Sequence, residues 1–364
     1  MAGLSCGIVG LPNVGKSTLF NALTANVAEA SNYPFCTIDP NVGIVEVPDS
    51  RLAVLSDLSK SKKILHATME FLDIAGLVEG ASRGEGLGNK FLGHINQTDA
   101  ILHVVRCFDS SDVIHVAGQV DPIHDIEIIN TELILADLQM ISNAVGRMER
   151  QAKGRKELQA TFELLKKVQA HLDEGKPMRT MDLTPEEEEL LHPYPTLTRK
   201  KVIYVTNVGE DDLPEMDNEY VQRVREYAAQ EGSSVIPVCA QLEAEIAQLD
   251  DAERKEFLES IGLEEPGLHR LIKASFDLLG LITFLTTGEQ ETRAWTVVKG
   301  SSAPIAAGKI HTDIQKGFIR AEVITYADMI EFGGRNGARE QGRVRAEGKE
   351  YIVQDGDVIL FLHN

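Results

Sequence analysis

The sequence predicts an α/β chain: a mostly parallel sheet wrapped by helices, interrupted by a long helical hairpin and followed by a smaller module rich in strands. Three observations predict it. Short apolar runs alternate with helical patterns over residues 1–128 and again over 199–280, as in a parallel sheet covered on both faces. Between them, over 129–198, apolar residues recur at helical spacing. Over 281–364, β-branched residues and turns dominate.

Taken in order, Cys6-Gly7-Ile8-Val9 is a buried strand, and Thr18-Leu19-Phe20-Asn21-Ala22-Leu23 is the start of a helix. Gly43–Val47, Thr68–Asp73 and Ala100–Arg106 are further strands. Leu133, Ala136, Met140, Ala144 and Met148 line one helical face, and Leu158, Phe162, Leu165 and Leu172 line a second after Gly154. Two long helices with a short connection make an antiparallel, coiled-coil-like hairpin. Thr184 is placed to cap a short helix opening Pro185-Glu186-Glu187-Glu188-Glu189, whose acids suit a helix N-terminus. The sheet resumes with Lys201–Asn207 and Ser233–Cys239, so the helices are an insertion. Ala294–Val298 and Phe318–Ile324 are strands of the last module.

At 364 residues the chain is too long for one core and fits two or three domains. No run of about 18 apolar residues occurs, so neither a membrane span nor a membrane partner is expected. No basic-then-apolar secretory leader is visible. The four scattered cysteines (Cys6, Cys36, Cys107, Cys239) read as free thiols of a cytoplasmic protein. The net charge is −20, and residues 281–364 hold 10 Lys+Arg against 11 Asp+Glu, which leaves −19 on the preceding 280 residues. A chain uniformly coated for nucleic acid is excluded; a neutral module or a local patch is not.

The chemistry starts at residues 10–17, Gly-Leu-Pro-Asn-Val-Gly-Lys-Ser, which has the form G-x-x-x-x-G-K-S between a strand and a helix. That is a phosphate-binding loop in its required setting, a P-loop NTPase signature. The amides of Asn13, Val14, Gly15, Lys16, Ser17 and Thr18 wrap phosphate oxygens, with the helix dipole beneath them. Lys16 reaches the β/γ-phosphates, and the Ser17 hydroxyl takes Mg²⁺. Asp73-Ile74-Ala75-Gly76 follows a strand as D-x-x-G, so Asp73 holds Mg²⁺ through water and the Gly76 amide senses a γ-phosphate. Thr37, between the two motifs, is a switch-loop hydroxyl for the same metal.

The base-reading strand departs from the guanine pattern N-K-x-D. Here Asn207-Val208-Gly209-Glu210 lacks the lysine, and Glu210 is one methylene longer than the aspartate that pairs with guanine. Loss of a paired polar readout costs orders of magnitude in discrimination. Adenine is favoured, read by Asn207 and the Val208 backbone with Cys239-Ala240 as the last base-contacting loop; a guanine-binding strand of unusual sequence is the alternative.

These residues resemble the Obg-like ATPases of the YchF group, translation-factor-class P-loop NTPases. The resemblance includes Gly84-Glu85-Gly86-Leu87-Gly88-Asn89-Lys90-Phe91-Leu92 and the N-x-x-E strand. At the other end, His311-Thr312-Asp313 and Tyr351–Val358 look like a TGS module with a β-grasp fold. It implies a nucleotide domain of residues 1–128 plus 199–280, a coiled-coil insertion at 129–198 and a TGS-like domain at 281–364. It implies ATP hydrolysis and association with ribosomes or ribosomal RNA, with the chain expected to act as a monomer. Leu77 stands where many GTPases have the water-orienting glutamine, so intrinsic turnover is expected to be slow. Asn13 resembles the loop asparagine that assists a monovalent cation such as K⁺, and His115 is a candidate to approach the reacting phosphate. A nucleotide-gated binding protein with incidental hydrolysis is a further alternative.

Overall fold

The structure is a computed structural model that describes residues 4–25, 41–74, 87–109, 120–152 and 155–364. In chain order its elements begin β1 (Ser5–Val9), α1 (Lys16–Thr24), β2 (Val42–Glu46), α2 (Arg51–Ser59), β3 (Ile64–Leu65), β4 (Thr68–Asp73), α3 (Leu87–Asn96) and β5 (Ala100–Arg106). The insertion holds α4 (Pro122–Ala152), α5 (Lys156–Asp173) and α6 (Pro185–Leu191). There follow β6 (Lys201–Asn207), α7 (Glu219–Gln230), β7 (Ser234–Val238), α8 (Ala240–Ile246), α9 (Asp251–Ser260) and α10 (Gly267–Leu278). The last stretch is β8 (Leu281–Thr287), β9 (Thr292–Val298), α11 (Ala303–Ile310), α12 (Thr312–Lys316), β10 (Phe318–Thr325), α13 (Tyr326–Glu331), α14 (Arg335–Glu340), β11 (Arg345–Glu347) and β12 (Asp357–His363).

Two compact units result. The first comprises Met1–Gly43 and Glu70–Arg270, the second Ile44–Met69 and Leu271–Asn364. The sheet of the first runs β2-β4-β1-β5-β6-β7. Its β4-β1, β1-β5, β5-β6 and β6-β7 pairs are all parallel. All seven residues of β5 are buried, as expected of a central strand covered on both faces. Parallel pairing puts the carboxyl ends of β1, β4, β6 and β7 on one edge, where open α/β sheets bind ligands.

The insertion forms a hairpin with a core of its own. Ile134, Ile141 and Ala144 of α4 pack on Leu164, Leu165, Val168 and Leu172 of α5. Gln169 donates to Ser142 Oγ at 2.9 Å across the antiparallel pair. α4 starts at Pro122, earlier than the periodicity at 129 suggests, because its first turns are buried through Ile126 and Ile129. The Thr184 cap forms as read: Glu187 N donates to Thr184 Oγ1 at 3.2 Å, and Thr184 N donates to Glu187 Oε2 at 3.0 Å.

In the second unit the sheet order is β11-β10-β12-β8-β9-β3. The β8-β9 hairpin is antiparallel, β12 runs parallel to β8, and β10 is antiparallel to β12. With Ala303, Ala306 and Ala307 of α11 packed on Phe284, Val323 and Phe361, this is a β-grasp. Residues 44–69, which the sequence reading keeps with the nucleotide domain, belong to this unit. The cause is long-range pairing: Ile64 and Leu65 run parallel to Thr292 and Arg293. The Arg51 guanidinium also donates to Asp49, Asp355 and Thr283, each at 2.8 Å.

Candidate functional site

The loop between β1 and α1 has the backbone its glycines allow. Gly15 sits at φ 93°, and a Cβ there would stand 2.2 Å from Asn207 Nδ2. Gly10 is confined differently, since a Cβ would lie 2.9 Å from both Val104 O and Val14 Cγ2. Asn13 also adopts a positive φ, 63°, a conformation asparagine tolerates better than most residues. Lys16 opens α1, and its ammonium pairs directly with the Asp73 carboxylate at the end of β4. Residues 57 apart in sequence thus meet at one point. Ser17, the next residue of α1, is exposed.

Asn207 closes the other side. At the end of β6 and 5% exposed, it donates from Nδ2 to Val14 O at 2.9 Å. Its Oδ1 accepts from Ala240 N at 2.9 Å. One side chain therefore ties the phosphate loop to the loop after β7. The Ala240 amide serves Asn207, and the Val208 amide donates to Val238 O at 3.0 Å, so neither N–H is free for a base. Asn207 keeps one amide hydrogen and one lone pair for a base edge. Cys239 is the N-cap residue of α8 and is buried. Burial pushes its thiol pKa up, so it stays protonated at neutral pH. Glu210 is exposed at the start of a short 3₁₀ turn, Glu210–Asp212. Asn218 holds that turn by donating to Cys107 O at 2.8 Å and to Asp212 Oδ2 at 3.0 Å.

Thr37, Gly76 and His115 lie outside the described residues, as do Cys36 and Leu77. For a metal, the oxygen donors among the described residues of this site are the Ser17 hydroxyl and the Asp73 carboxylate. Both are hard oxygens, the type Mg²⁺ takes. No cluster of three or more His, Cys, Asp or Glu occurs among the described residues. Mg²⁺ is held by one or two protein oxygens together with phosphates rather than by an all-protein cage. The donor set fits.

Sequence reasoning missed a buried polar joint beneath this site. Arg179, after the hairpin, donates to Glu231 Oε2 at 3.0 Å and to Asn130 Oδ1 of α4 at 2.9 Å. Tyr204 of β6 donates to Glu231 Oε1 at 2.5 Å, and Asn130 donates to Tyr227 at 3.1 Å. Burial pushes the Tyr204 hydroxyl pKa up and keeps it a donor. His103 of β5 lies 5.6 Å from the Tyr204 ring. Burial, reinforced by Arg179, lowers its pKa to about 3. The hydrogen-bonded partners are 27 to 97 residues apart, and no local spacing could have signalled them.

Comparison with known proteins decides the family. A family model described as "50S ribosome-binding GTPase" matches residues 5–142. The model of the YchF GTPase C-terminal region, described as "Protein of unknown function (DUF933)", matches 281–364. The "Ribosome-binding ATPase YchF" of Haemophilus influenzae is 56% identical over 364 residues, covering 100% of this chain and 99% of its own. The chain belongs to the YchF family. The Bacillus subtilis relative of the same name is 55% identical, with 99% of each chain covered. The solved structure titled "Structure of the Schizosaccharomyces pombe YchF GTPase" superposes with a TM-score of 0.89 at 36% identity. The match covers 100% of this chain and 99% of that one. YchF-family membership accounts for both halves of the architecture, the P-loop unit and the β-grasp.

Proposed function

We propose that this YchF-family chain is a slow ATP-hydrolysing switch that associates with ribosomes in the cytoplasm and acts as a monomer. The observation that carries the reading is the meeting of Lys16, Asp73 and the Asn207-tethered loop at one sheet edge, next to a base strand without the guanine-pairing lysine and aspartate. The names of the bacterial relatives point to ATP and ribosomes. The fission-yeast title says GTPase, so the base strand is the feature that weighs between the nucleotides. Glu210 replaces the aspartate whose short carboxylate suits the two guanine donors.

In this reading the amides of Asn13 through Thr18 receive the phosphates. Lys16 turns from Asp73 toward the β/γ-phosphates and stabilises the charge that develops on them. Ser17, Thr37 and, through water, Asp73 would hold Mg²⁺, which would supply neutralisation of the phosphate charge. Gly76 senses the γ-phosphate, and His115 is the candidate to act on it. Asn13 would hold a monovalent cation such as K⁺, which would supply further positive charge. With leucine at position 77 the attacking water lacks the usual amide to orient it, and unassisted turnover is slow, well below about 1 s⁻¹.

The switch is tested by measuring affinity for purified ribosomes without nucleotide, with ADP and with a non-hydrolysable ATP analogue. A nucleotide can bias a partner only through differential binding. The reading expects different affinities among these states. Equal affinity in all three removes the switch and leaves a binding protein with incidental hydrolysis.

A further inference from the structure

The helical hairpin separates its charges along its length. Near the sheet α4 is acidic: Asp125, Glu132 and Asp137 are buried and Glu127 is exposed. Asp137 is fully engaged, accepting from Leu197 N at 2.7 Å and from Thr198 N and Oγ1 at 2.8 and 2.7 Å. At the far end the balance reverses. Arg147, Arg150, Arg155 and Lys156 are all exposed, against Glu149 and Glu157. Among the described residues none of the four forms an ion pair; Arg150 makes only a 3.4 Å contact with Gly146 O.

Two features make this more than a solvated helix end. Arg155 and Lys156 stand at the start of α5, and Arg155 provides no side-chain cap. Cations there oppose the helix macrodipole. The local fold gains nothing from them, and such breaches of local preference concentrate at functional sites. The second feature is distance. Arg150 lies twenty residues beyond Asn130, about 30 Å along the helix axis. That is several Debye lengths at physiological salt, about 8 Å each. The acidic body, carrying most of the net −20, therefore does not cancel the tip's attraction for an anion.

We propose that Arg147, Arg150, Arg155 and Lys156 form a phosphate-gripping tip that docks on the backbone of folded RNA. The inference rests on the ribosome reading above and names the surface that would make the contact. RNA is favoured over an acidic protein because protein interfaces centre on aromatic or aliphatic anchors. None of the large exposed hydrophobics lies at this tip; the one on α4 is Leu135, nearer the sheet. Arg and Lys without apolar anchors are the composition of sequence-independent phosphate contact.

The test uses the full chain in two variants: the charge-reversed R147E/R150E/R155E/K156E and the charge-keeping R147K/R150K/R155K. Binding to a duplex RNA of about 20 base pairs is measured across a KCl series, since log affinity falls by about 0.9 per log salt for each phosphate contact in duplex DNA. Cosedimentation with purified 70S ribosomes and ATP affinity are measured alongside. Wild type and the lysine variant are expected to bind RNA with a steep salt dependence. The reversed variant is expected to lose at least about tenfold at low salt and about one unit of slope per lost contact, with ATP affinity unchanged. Equal RNA affinity and slope in wild type and the reversed variant overturn the proposal. So does loss of ribosome binding by the reversed variant when wild type does not bind the duplex, which assigns the tip to a ribosomal protein. If wild type grips RNA through the tip but does not cosediment, the ribosome reading fails and the tip stands. If it cosediments and the reversed variant does so equally, the reading stands and the tip falls.

Discussion

Replacing Asn207 by alanine removes a side chain that joins the phosphate loop to the loop after β7. Two buried groups lose their partner, Val14 O and Ala240 N. Leaving a buried backbone donor or acceptor unsatisfied costs about 1–3 kcal/mol each. The sum is about 2–6 kcal/mol, and water entering from the adjacent open edge brings the expected loss to about 2–4 kcal/mol. That is a large part of the 5–15 kcal/mol typical of a folded domain. Asn207→Asp separates the two bonds. It keeps an acceptor for Ala240 N but faces Val14 O with a second oxygen, so it should destabilise at least as much as alanine. Urea unfolding at neutral pH gives the stability loss, and calorimetry gives nucleotide affinity. Because the tether shapes the phosphate loop, ATP and GTP should both weaken. A stability loss under about 0.5 kcal/mol with intact nucleotide affinity refutes the tether. Loss of ATP binding with GTP binding unchanged makes Asn207 a base reader instead.

Further outcomes follow from neighbouring features. Gly15→Ala meets both a φ of 93° and a 2.2 Å approach to Asn207 Nδ2, so phosphate binding measured by calorimetry should be abolished for every nucleotide. Arg179→Ala leaves Glu231 buried without its cation; both side chains are under 7% exposed. The expected loss is about 3–5 kcal/mol in urea unfolding, whereas Arg179→Met with Glu231→Leu should recover much of it. His103 is neutral when folded, with its pKa lowered to about 3 from 6.5. The unfolded state therefore binds the extra proton between those values, and stability falls as pH drops through that window, by up to about 1.4 kcal/mol per pH unit. Unfolding of His103→Phe at pH 7.5, 6 and 5 should show a correspondingly shallower pH dependence; an unchanged slope contradicts the buried neutral imidazole.

What the sequence made legible was local. The strands Ala100–Arg106 and Lys201–Asn207 are seen where apolar runs put them, because strands buried on both faces need no partner to be recognised; Thr68–Asp73 is seen too, with residues that alternate between buried and half-buried. The phosphate loop was legible because its glycines are demanded by backbone geometry at named positions. The Thr184 cap was legible because its two hydrogen bonds span only three residues. What escaped depends on pairing across long separations. The transfer of residues 44–69 to the β-grasp unit rests on Arg51 binding Asp355, 304 residues away. Glu243 looks like a surface residue of a short amphipathic helix, yet it is 1% exposed. It accepts from Gly267 N at 2.6 Å to anchor the start of α10, and burial raises its carboxyl pKa. The double use of Asn207 was likewise invisible, since its partners sit on loops whose approach only the folded sheet defines.

The central claim is that the base strand ending in Asn207-Val208-Gly209-Glu210 selects adenine. Calorimetric titration of the full chain with ATP and with GTP, both with Mg²⁺, tests it most directly, with Glu210→Asp as the companion variant. Val208 is 2% exposed, so a lysine there would bury a charge and perturb the fold. ATP is expected to bind at least about tenfold tighter than GTP, the order of discrimination a changed polar contact supplies, and Glu210→Asp is expected to narrow the gap. GTP binding tighter than ATP in the wild-type chain would contradict it.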